Sequence, residues 1–176
     1  MPEFRQNWLT NMVSPQIQLA QTKVRRYCEE LFPGALQIER DQIRIAYEST
    51  LVTVEVRPVN LDAKVGTLKQ QHLLPETYVS ISAVLVANTP QTPALYQWIA
   101  TKGQELDFGH TQMRIQSDGA ASLTYTYALS ADTLDPGELK WAVLAVAIAA
   151  DKLDDDLKAR FGGLRHIDQP TGASGL

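Results

Sequence analysis

The stretch that decides the fold is residues 134–163, LDPGELKWAVLAVAIAADKLDDDLKARFGG, which carries the signals of one long helix. Asp135 stands at the N-cap position, Pro136 suits the first helical turn, and Glu138 completes a variant of the capping box. The Gly-Gly pair at the end of the stretch predicts where the helix stops. Apolar residues recur every three or four positions and predict one buried stripe. The stripe consists of Leu139, Val143, Val146, Ala150, Leu153 and Leu157.

Two further helices are predicted upstream of this one. The segment from Pro15 to Leu31 follows a capping residue, Ser14, and ends before a Pro-Gly pair. Its apolar residues also recur at helical spacing, which predicts an amphipathic helix. A shorter helix is predicted over residues 94–102, between a Thr-Pro pair and a glycine.

Between the helices the apolar pattern changes to period two, which predicts strands. Residues 42–48 and 51–56 form a hairpin pattern, and residues 36–39 are compatible with a short strand before it. Residues 78–87 alternate again, and an Asp-Gly pair at 118–119 predicts a second hairpin.

The element order α-β-β-β-α-β-β-α predicts an α+β fold, with a single antiparallel sheet of about five strands and helices on one face. The sequence divides into an N-terminal extension at residues 1–14, one domain at 15–163, and a tail at 164–176. We expect the tail to be disordered because it is rich in Gly, Pro, Ser and Thr and has no periodicity. Residues 58–75 form an unusually long connection, of the kind that is often a binding loop.

Composition excludes several classes of protein. The net charge is −4 and no basic stripe is present, so we expect no nucleic-acid partner. The longest apolar run has ten residues, 141–150, whereas a membrane span needs about 20. We therefore expect no membrane insertion. The single cysteine, Cys28, cannot form an internal disulfide, which favours a cytoplasmic location.

The sequence offers no catalytic motif. The histidines His72, His110 and His166 are scattered, and no HExxH, nucleophile-elbow or phosphate-loop pattern is present. Cys28 lies beside an apolar stripe and is interpreted as a small buried hydrophobe. We expect no catalytic residue, no cofactor and no metal ligand.

One acidic cluster permits more than one interpretation. Asp151, Asp154, Asp155 and Asp156 lie near the end of the long helix, where acidic groups oppose the helix dipole. They form either a solvated helix face or a surface that contacts a basic partner; Asp154, Asp155 and Asp156 are the candidate contacts. An alternative function is a small-molecule or metal-binding protein, or an enzyme, that uses this cluster together with His72 or His110.

A second candidate surface combines Tyr78 on a strand with the short helix. Leu95, Trp98 and Ile99 share one face of that helix, and a tryptophan so placed can anchor an interface. The competing interpretation is that this face packs in the core. We take Tyr78, Leu95, Trp98 and Ile99 as candidate partner contacts.

The last helix also carries a family resemblance. Its segments LDPGEL at 134–139, ADKLDDDL at 150–157 and ARFGG at 159–163 are similar to the final helix of YbjN-domain proteins from actinobacteria. The element order from Pro15 to Gly163 resembles the type III secretion chaperone-like fold. This resemblance implies a non-enzymatic, cytoplasmic, usually dimeric protein that binds extended peptide segments of client proteins.

Three functions therefore remain open. The leading hypothesis is a homodimeric chaperone-like module that binds a client protein or peptide. The alternatives are the enzyme or ligand carrier built on the acidic cluster, and a structural subunit of a larger assembly.

Overall fold

The helices and strands follow in the predicted order along the chain. A computed structural model describes residues 14–39, 42–59, 75–102 and 108–169. The helices are α1 (Pro15–Leu31), α2 (Pro93–Thr101) and α3 (Pro136–Phe161). The strands are β1 (Leu36–Glu39), β2 (Gln42–Tyr47), β3 (Thr50–Pro58), β4 (Thr77–Thr89), β5 (His110–Ile115) and β6 (Ala121–Ser130). A 3-10 turn at His166–Asp168 follows α3.

Within the described residues, six strands form one antiparallel sheet in the order β1-β2-β3-β4-β6-β5. The predicted α+β class with a single antiparallel sheet is confirmed. The strand number is six instead of about five because Leu36–Glu39 pairs with β2 and forms an edge strand. The β2–β3 turn places Glu48 at φ 46°, a conformation that a tight two-residue connection requires.

The core lies between one face of the sheet and the helices α1, α2 and α3. The alternation in β3 and β4 turns Val52, Val54, Val79 and Ile81 toward the helices, and all four are fully buried. The predicted stripe of α3 is also confirmed, with Leu153 as its only partly buried member. We call this helix-covered side the inner face of the sheet.

The ends of α3 follow the sequence signals closely. The Asp135 side chain accepts a hydrogen bond of 2.8 Å from the Glu138 backbone N–H. At the other end Gly162 adopts φ 75°, a left-handed conformation that favours glycine. No helix in the described part of the chain is long and apolar enough to cross a membrane.

The chain beyond α3 differs from the prediction of a disordered tail. Leu164 forms an antiparallel bridge with Ala87, in which both N–H to carbonyl distances are 2.8 Å. Gly163 precedes it at φ 95°, and a Cβ there would lie 2.7 Å from the Ala87 carbonyl oxygen. The prediction is therefore wrong for residues 164–169, because backbone pairing with β4 orders a segment that has no hydrophobic period. Residues 170–176, and most of the N-terminal extension and the long connection, lie outside the described residues.

Candidate functional site

The main candidate site is the face of the sheet opposite the helices. A groove of about 570 Å³ runs over it, and its lining comes from β2 to β6 and from the segment after α3. We call it the outer groove. It exists because α1, α2 and α3 all pack on the inner face; among the described residues, only the segment after α3, with His166 and Gln169, borders the outward side chains of these strands.

Small hydroxyl side chains form the floor of the outer groove. The register places Thr53 beside Ser82 and Ser82 beside Thr126, so these three side chains form one row across three strands. Neighbouring positions on β4 and β6 carry Ser80 and Thr124, which also line the groove. Because side chains with only one or two heavy atoms beyond Cβ stand low above the sheet, this central strip is a trough.

Longer polar side chains form the two walls. Arg44, Glu55 and Arg57 rise from β2 and β3 on one side, and Gln112 and Arg114 rise from the edge strand β5 on the other. The strands β3 and β5 are three strand spacings apart, about 14 Å, and the floor from residue 78 to residue 84 is about 20 Å long. These dimensions suit an extended peptide segment of about six residues.

Ion pairs fix the β2–β3 wall. Arg44 Nη1 lies 3.0 Å from Glu39 Oε2, and Arg57 Nε donates a 2.9 Å hydrogen bond to Glu55. The hydrogen bond to Glu55 raises the pKa of Arg57, so this guanidinium stays charged at any ordinary pH. On the opposite wall, Arg114 is exposed and has no ion-pair partner among the described residues.

The candidate partner contacts separate into two groups. Tyr78 lines the end of the outer groove, next to Arg57 in the register. Leu95 is 0% exposed and Trp98 is 7% exposed, so both belong to the core. The Trp98 ring packs edge-on against Phe161 with a centroid distance of 6.4 Å. The prediction that Leu95 and Trp98 are surface anchors is therefore wrong, because α2 packs its single apolar face on the core. Ile99 is partly buried against the same core.

The acidic cluster divides into separate structural roles. The Ser49 hydroxyl lies 2.6 Å from Asp151 Oδ1 and 3.1 Å from Asp154 Oδ2, so these two carboxyls hold the β2–β3 turn against α3. Asp154 is only 2% exposed, and burial raises the pKa of its carboxyl. This carboxyl is therefore not available at the surface as a partner contact.

The other two aspartates remain at the surface but have partners. Asp155 pairs with Arg165, and Asp156 accepts a 2.7 Å hydrogen bond from Arg160. Arg165 also bonds to Asp168, and the pKa of that carboxyl is held well below its usual range by hydrogen bonds from Arg165 and from a lysine of α3. Asp155 and Asp168 thus tie the segment 164–169 to α3, whereas the pair of Asp156 lies within α3. These carboxylates do not line the outer groove.

The described residues give no support to the metal or enzyme alternative. They contain no group of three or more His, Cys, Asp or Glu side chains that could hold a metal ion. His110 and His166 lie at different parts of the outer groove lining, and burial lowers the pKa of His166. His72 lies outside the described residues. Burial raises the pKa of the Cys28 thiol to about 12, which agrees with its interpretation as a buried hydrophobe.

Comparison with known proteins identifies the family. Residues 70–169, more than half of the chain, match the model of a family described as "T3SS (YopN, CesT) and YbjN peptide-binding chaperone 1". The chain belongs to this peptide-binding chaperone family. The family resemblance inferred from the last helix is thereby confirmed.

A solved structure supports the fold. The crystal structure of an uncharacterized protein from Methanothermobacter thermautotrophicus is similar to this chain with a TM-score of 0.50 and 13% sequence identity. The similarity covers 81% of this chain and 99% of that one. At this identity the likeness concerns the fold alone. Among curated proteins, no significant match was found.

The family match includes only part of the outer groove. Residues 70–169 contain the floor strands β4 and β6 and the β5 wall, whereas the β2–β3 wall lies before the matched region. The matched region therefore contains the floor hydroxyls of β4 and β6 and the wall that carries Arg114, but not Thr53 of the hydroxyl row.

Sequence reasoning did not identify the outer groove as a site. The alternation separates Ser80 and Ser82 from the core residues of β4, and Thr124 and Thr126 from those of β6. That signal places each residue on a face but does not show that β4 and β6 are neighbours. The missing information is the strand order, which brings the two rows of hydroxyls together.

Proposed function

We propose that this protein is a non-enzymatic chaperone-like module that holds an extended segment of a client protein in the outer groove. The observation that carries the proposal is the open groove of about 570 Å³ on the sheet face opposite α1, α2 and α3. Membership in a peptide-binding chaperone family supports a peptide as the occupant.

The chemistry of the floor supports contacts with a peptide backbone. Each Ser or Thr hydroxyl donates one hydrogen bond and accepts two, so the trough can satisfy both N–H and C=O groups of an extended chain. Backbone pairing is used up in the central strands, since β4 pairs with both β3 and β6. Affinity then comes from side chains of the floor and walls, and such contacts tolerate many client sequences.

The proposal is tested by filling the floor. Ser82 lies at the centre of the hydroxyl row, and Ser82→Tyr places a ring in the trough. We expect the full-length variant to lose most of its binding to an array of extended peptides about 12 residues long. The matched control is Gln97→Tyr, which adds the same side chain at an exposed position of α2. Equal binding by both variants, with unchanged circular dichroism, would rule out the outer groove as the peptide site.

We further propose that the protein acts as a homodimer. Support comes from an exposed aromatic group on the helix side of β5 and β6, where the Phe108 and Trp141 rings meet edge-on at 4.5 Å. Ile148 lies two turns along the same face of α3 and is also exposed. Monomers seldom leave such apolar groups in water, and a twofold interface would bury the group against its own copy.

Other parts of the functional picture stay predictions. The cytoplasmic location rests on the single unpaired cysteine, and the absence of a nucleic-acid partner rests on the net charge of −4. The absence of catalytic activity is likewise part of the proposal.

A further inference from the structure

We infer that the outer groove selects acidic client segments, whose carboxylates meet Arg57 and Arg44 along one wall and Arg114 near the far end of the other wall. This inference rests on the proposed function, since it names the class of segment that the same groove would hold. The net charge of the groove lining is positive, whereas that of the rest of the molecule is negative.

The groove is positively charged in a negatively charged protein. Its lining contains three arginines and one glutamate, Glu55, which gives a formal charge of +2 with histidines neutral; Glu39, which pairs with Arg44 from just outside the lining, reduces the local charge to +1. The whole chain carries −4, so the residues outside the lining carry −6. Since salt screens charges beyond about 8 Å at physiological ionic strength, a segment in the groove experiences mainly the local positive charge.

Arg114 is the most available of the three cations. It is exposed on the edge strand β5 and has no ion-pair partner among the described residues, whereas Arg44 and Arg57 pair with Glu39 and Glu55. A guanidinium has five N–H donors, so the two paired arginines also keep donors for a second carboxylate. Arg114 is therefore the residue whose contribution can be measured most cleanly.

The register also predicts a spacing for the acidic residues. Arg44 lies opposite Thr53, and Arg57 lies four residues further along β3. Four residues of strand correspond to about 13 Å. Because positions of even spacing point to the same side of an extended chain, carboxylates at i and i+4 would meet the two arginines of this wall.

The arginines of the two walls favour carboxylates over basic side chains, and the floor hydroxyls can donate to the same carboxylates. The Ser and Thr hydroxyls of the row at Thr53, Ser82 and Thr126 donate hydrogen bonds to carboxylate oxygens, and arginine binds them in bidentate geometry. A lysine beside any one of these arginines would meet a like charge. Selection thus combines attraction of one charge with repulsion of the other.

The test compares three labelled peptides, each about 12 residues long, in a Gly-Ser-Thr background. They carry Glu, Gln or Lys at positions i, i+4 and i+8, because the register places Arg57, Arg44 and Arg114 at successive steps of about four residues along the sheet. Fluorescence anisotropy measures binding to the full-length protein at low and high salt. We expect the Glu peptide to bind at least tenfold more tightly than the other two, and its affinity to fall as salt rises.

Single-arginine variants test whether the preference for acidic peptides arises in the groove. We expect Arg114→Gln to weaken binding of the Glu peptide about threefold and Arg114→Glu to weaken it further while strengthening binding of the Lys peptide. The control Arg26→Gln removes the same charge from an exposed position of α1, on the inner side of the sheet, and should leave affinity unchanged. Equal losses in Arg114→Gln and Arg26→Gln would overturn the inference, because bulk charge would then explain the effect.

The outcomes also separate this inference from the proposed function. Equal affinity for the three peptides, with binding still lost in Ser82→Tyr, would overturn acidic selection and leave the peptide-binding function in place. Failure of every peptide to bind would overturn both. Tighter binding of a single-stranded oligonucleotide that displaces the Glu peptide and depends on Arg114 would replace the acidic-peptide assignment with a nucleic-acid one.

Discussion

At the scale of single residues, Asp154 shows how a carboxyl in an acidic cluster can serve the fold. The Ser49 hydroxyl has one hydrogen, yet it lies within hydrogen-bond distance of both Asp151 and Asp154. In both contacts the Ser49 hydroxyl is the donor and a carboxyl oxygen the acceptor, and the shorter contact, 2.6 Å, is to Asp151 Oδ1. Burial raises the pKa of the Asp154 carboxyl, and the hydrogen bond from Ser49 offsets part of that increase.

The raised pKa predicts a pH-dependent stability. The folded state holds the Asp154 proton more tightly than the unfolded state, so this residue lowers the free energy of unfolding as pH rises from 3.8 through its higher folded pKa. Asn at this position carries no charge at any pH. We therefore expect Asp154→Asn to be more stable than the parent protein at pH 7 and to lose this advantage below the ordinary aspartate pKa of 3.8, as measured by urea unfolding.

A neighbouring aspartate provides the control for this measurement. Asp156 is more exposed and pairs with Arg160 on the helix surface, so Asp156→Asn should change stability by no more than about 0.5 kcal/mol at either pH. The assignment of Asp154 as a buried acid would be contradicted if the stability of the parent protein, relative to that of Asp154→Asn, increased as pH rises.

At the scale of secondary-structure elements, α2 illustrates the limit of a periodic pattern. The spacing of Leu95, Trp98 and Ile99 shows that they share a face, and the same spacing serves a core contact or an interface equally well. The structure decides for the core, because the Trp98 ring packs against Phe161 at the end of α3. The helix α2 thus joins the β4 end of the sheet to the C-terminal end of α3.

This placement predicts a stability defect for a tryptophan variant. Trp98→Ala removes a buried aromatic ring, and we expect the free energy of unfolding to fall by about 3 kcal/mol. Trp98→Phe keeps a ring in place and should cost about half as much. Urea denaturation of the two variants measures the difference.

The same variants show whether Trp98 belongs to the core or contacts the client. Trp98→Phe should bind the peptide array as the parent protein does, because the outer groove lies on the opposite face of the sheet. An unchanged unfolding midpoint for Trp98→Ala together with lost peptide binding would restore the original interpretation of Trp98 as a surface anchor.

At the scale of the whole molecule, the two faces of the sheet serve different contacts. The outer groove is lined mainly by polar residues, three of them arginines, whereas the side of β5 and β6 near α3 exposes aromatic rings. The Trp141 side chain contacts both Phe108 and Tyr127 there and is 46% exposed. A dimer through this aromatic group would leave both outer grooves open to clients.

This division predicts the effect of a polar substitution on oligomeric state. Light scattering after size exclusion should give the mass of a dimer for the parent protein and a smaller mass for Trp141→Gln. Leu19→Gln is the matched control, since Leu19 is 72% exposed on α1. A monomeric parent protein, or a dimer that survives in Trp141→Gln and dissociates in Leu19→Gln, would count against this interface.

Local signals predicted most of the fold because they act over a few residues. The cap at Asp135, the glycine at the end of α3 and the alternation in β4 and β6 each describe contacts within one element. The ordering of residues 164–169 escaped prediction because its stabilising contacts, the bridge to Ala87 and the ion pairs of Arg165, are made with other elements. The acidic cluster escaped correct interpretation for the same reason, since Ser49 is about 100 residues away in the chain.

The sequence by itself determined where the helices begin and end, which side chains of each strand face the core, and which family the last helix resembles. Only the tertiary structure decided that β4 lies between β3 and β6, which joins their hydroxyls into one trough with arginines on both walls. The physical reason is the range of the interactions. Helix caps and alternation depend on near neighbours, whereas the choice of strand partners depends on contacts between residues far apart in the chain, and the outer groove is a product of those partners.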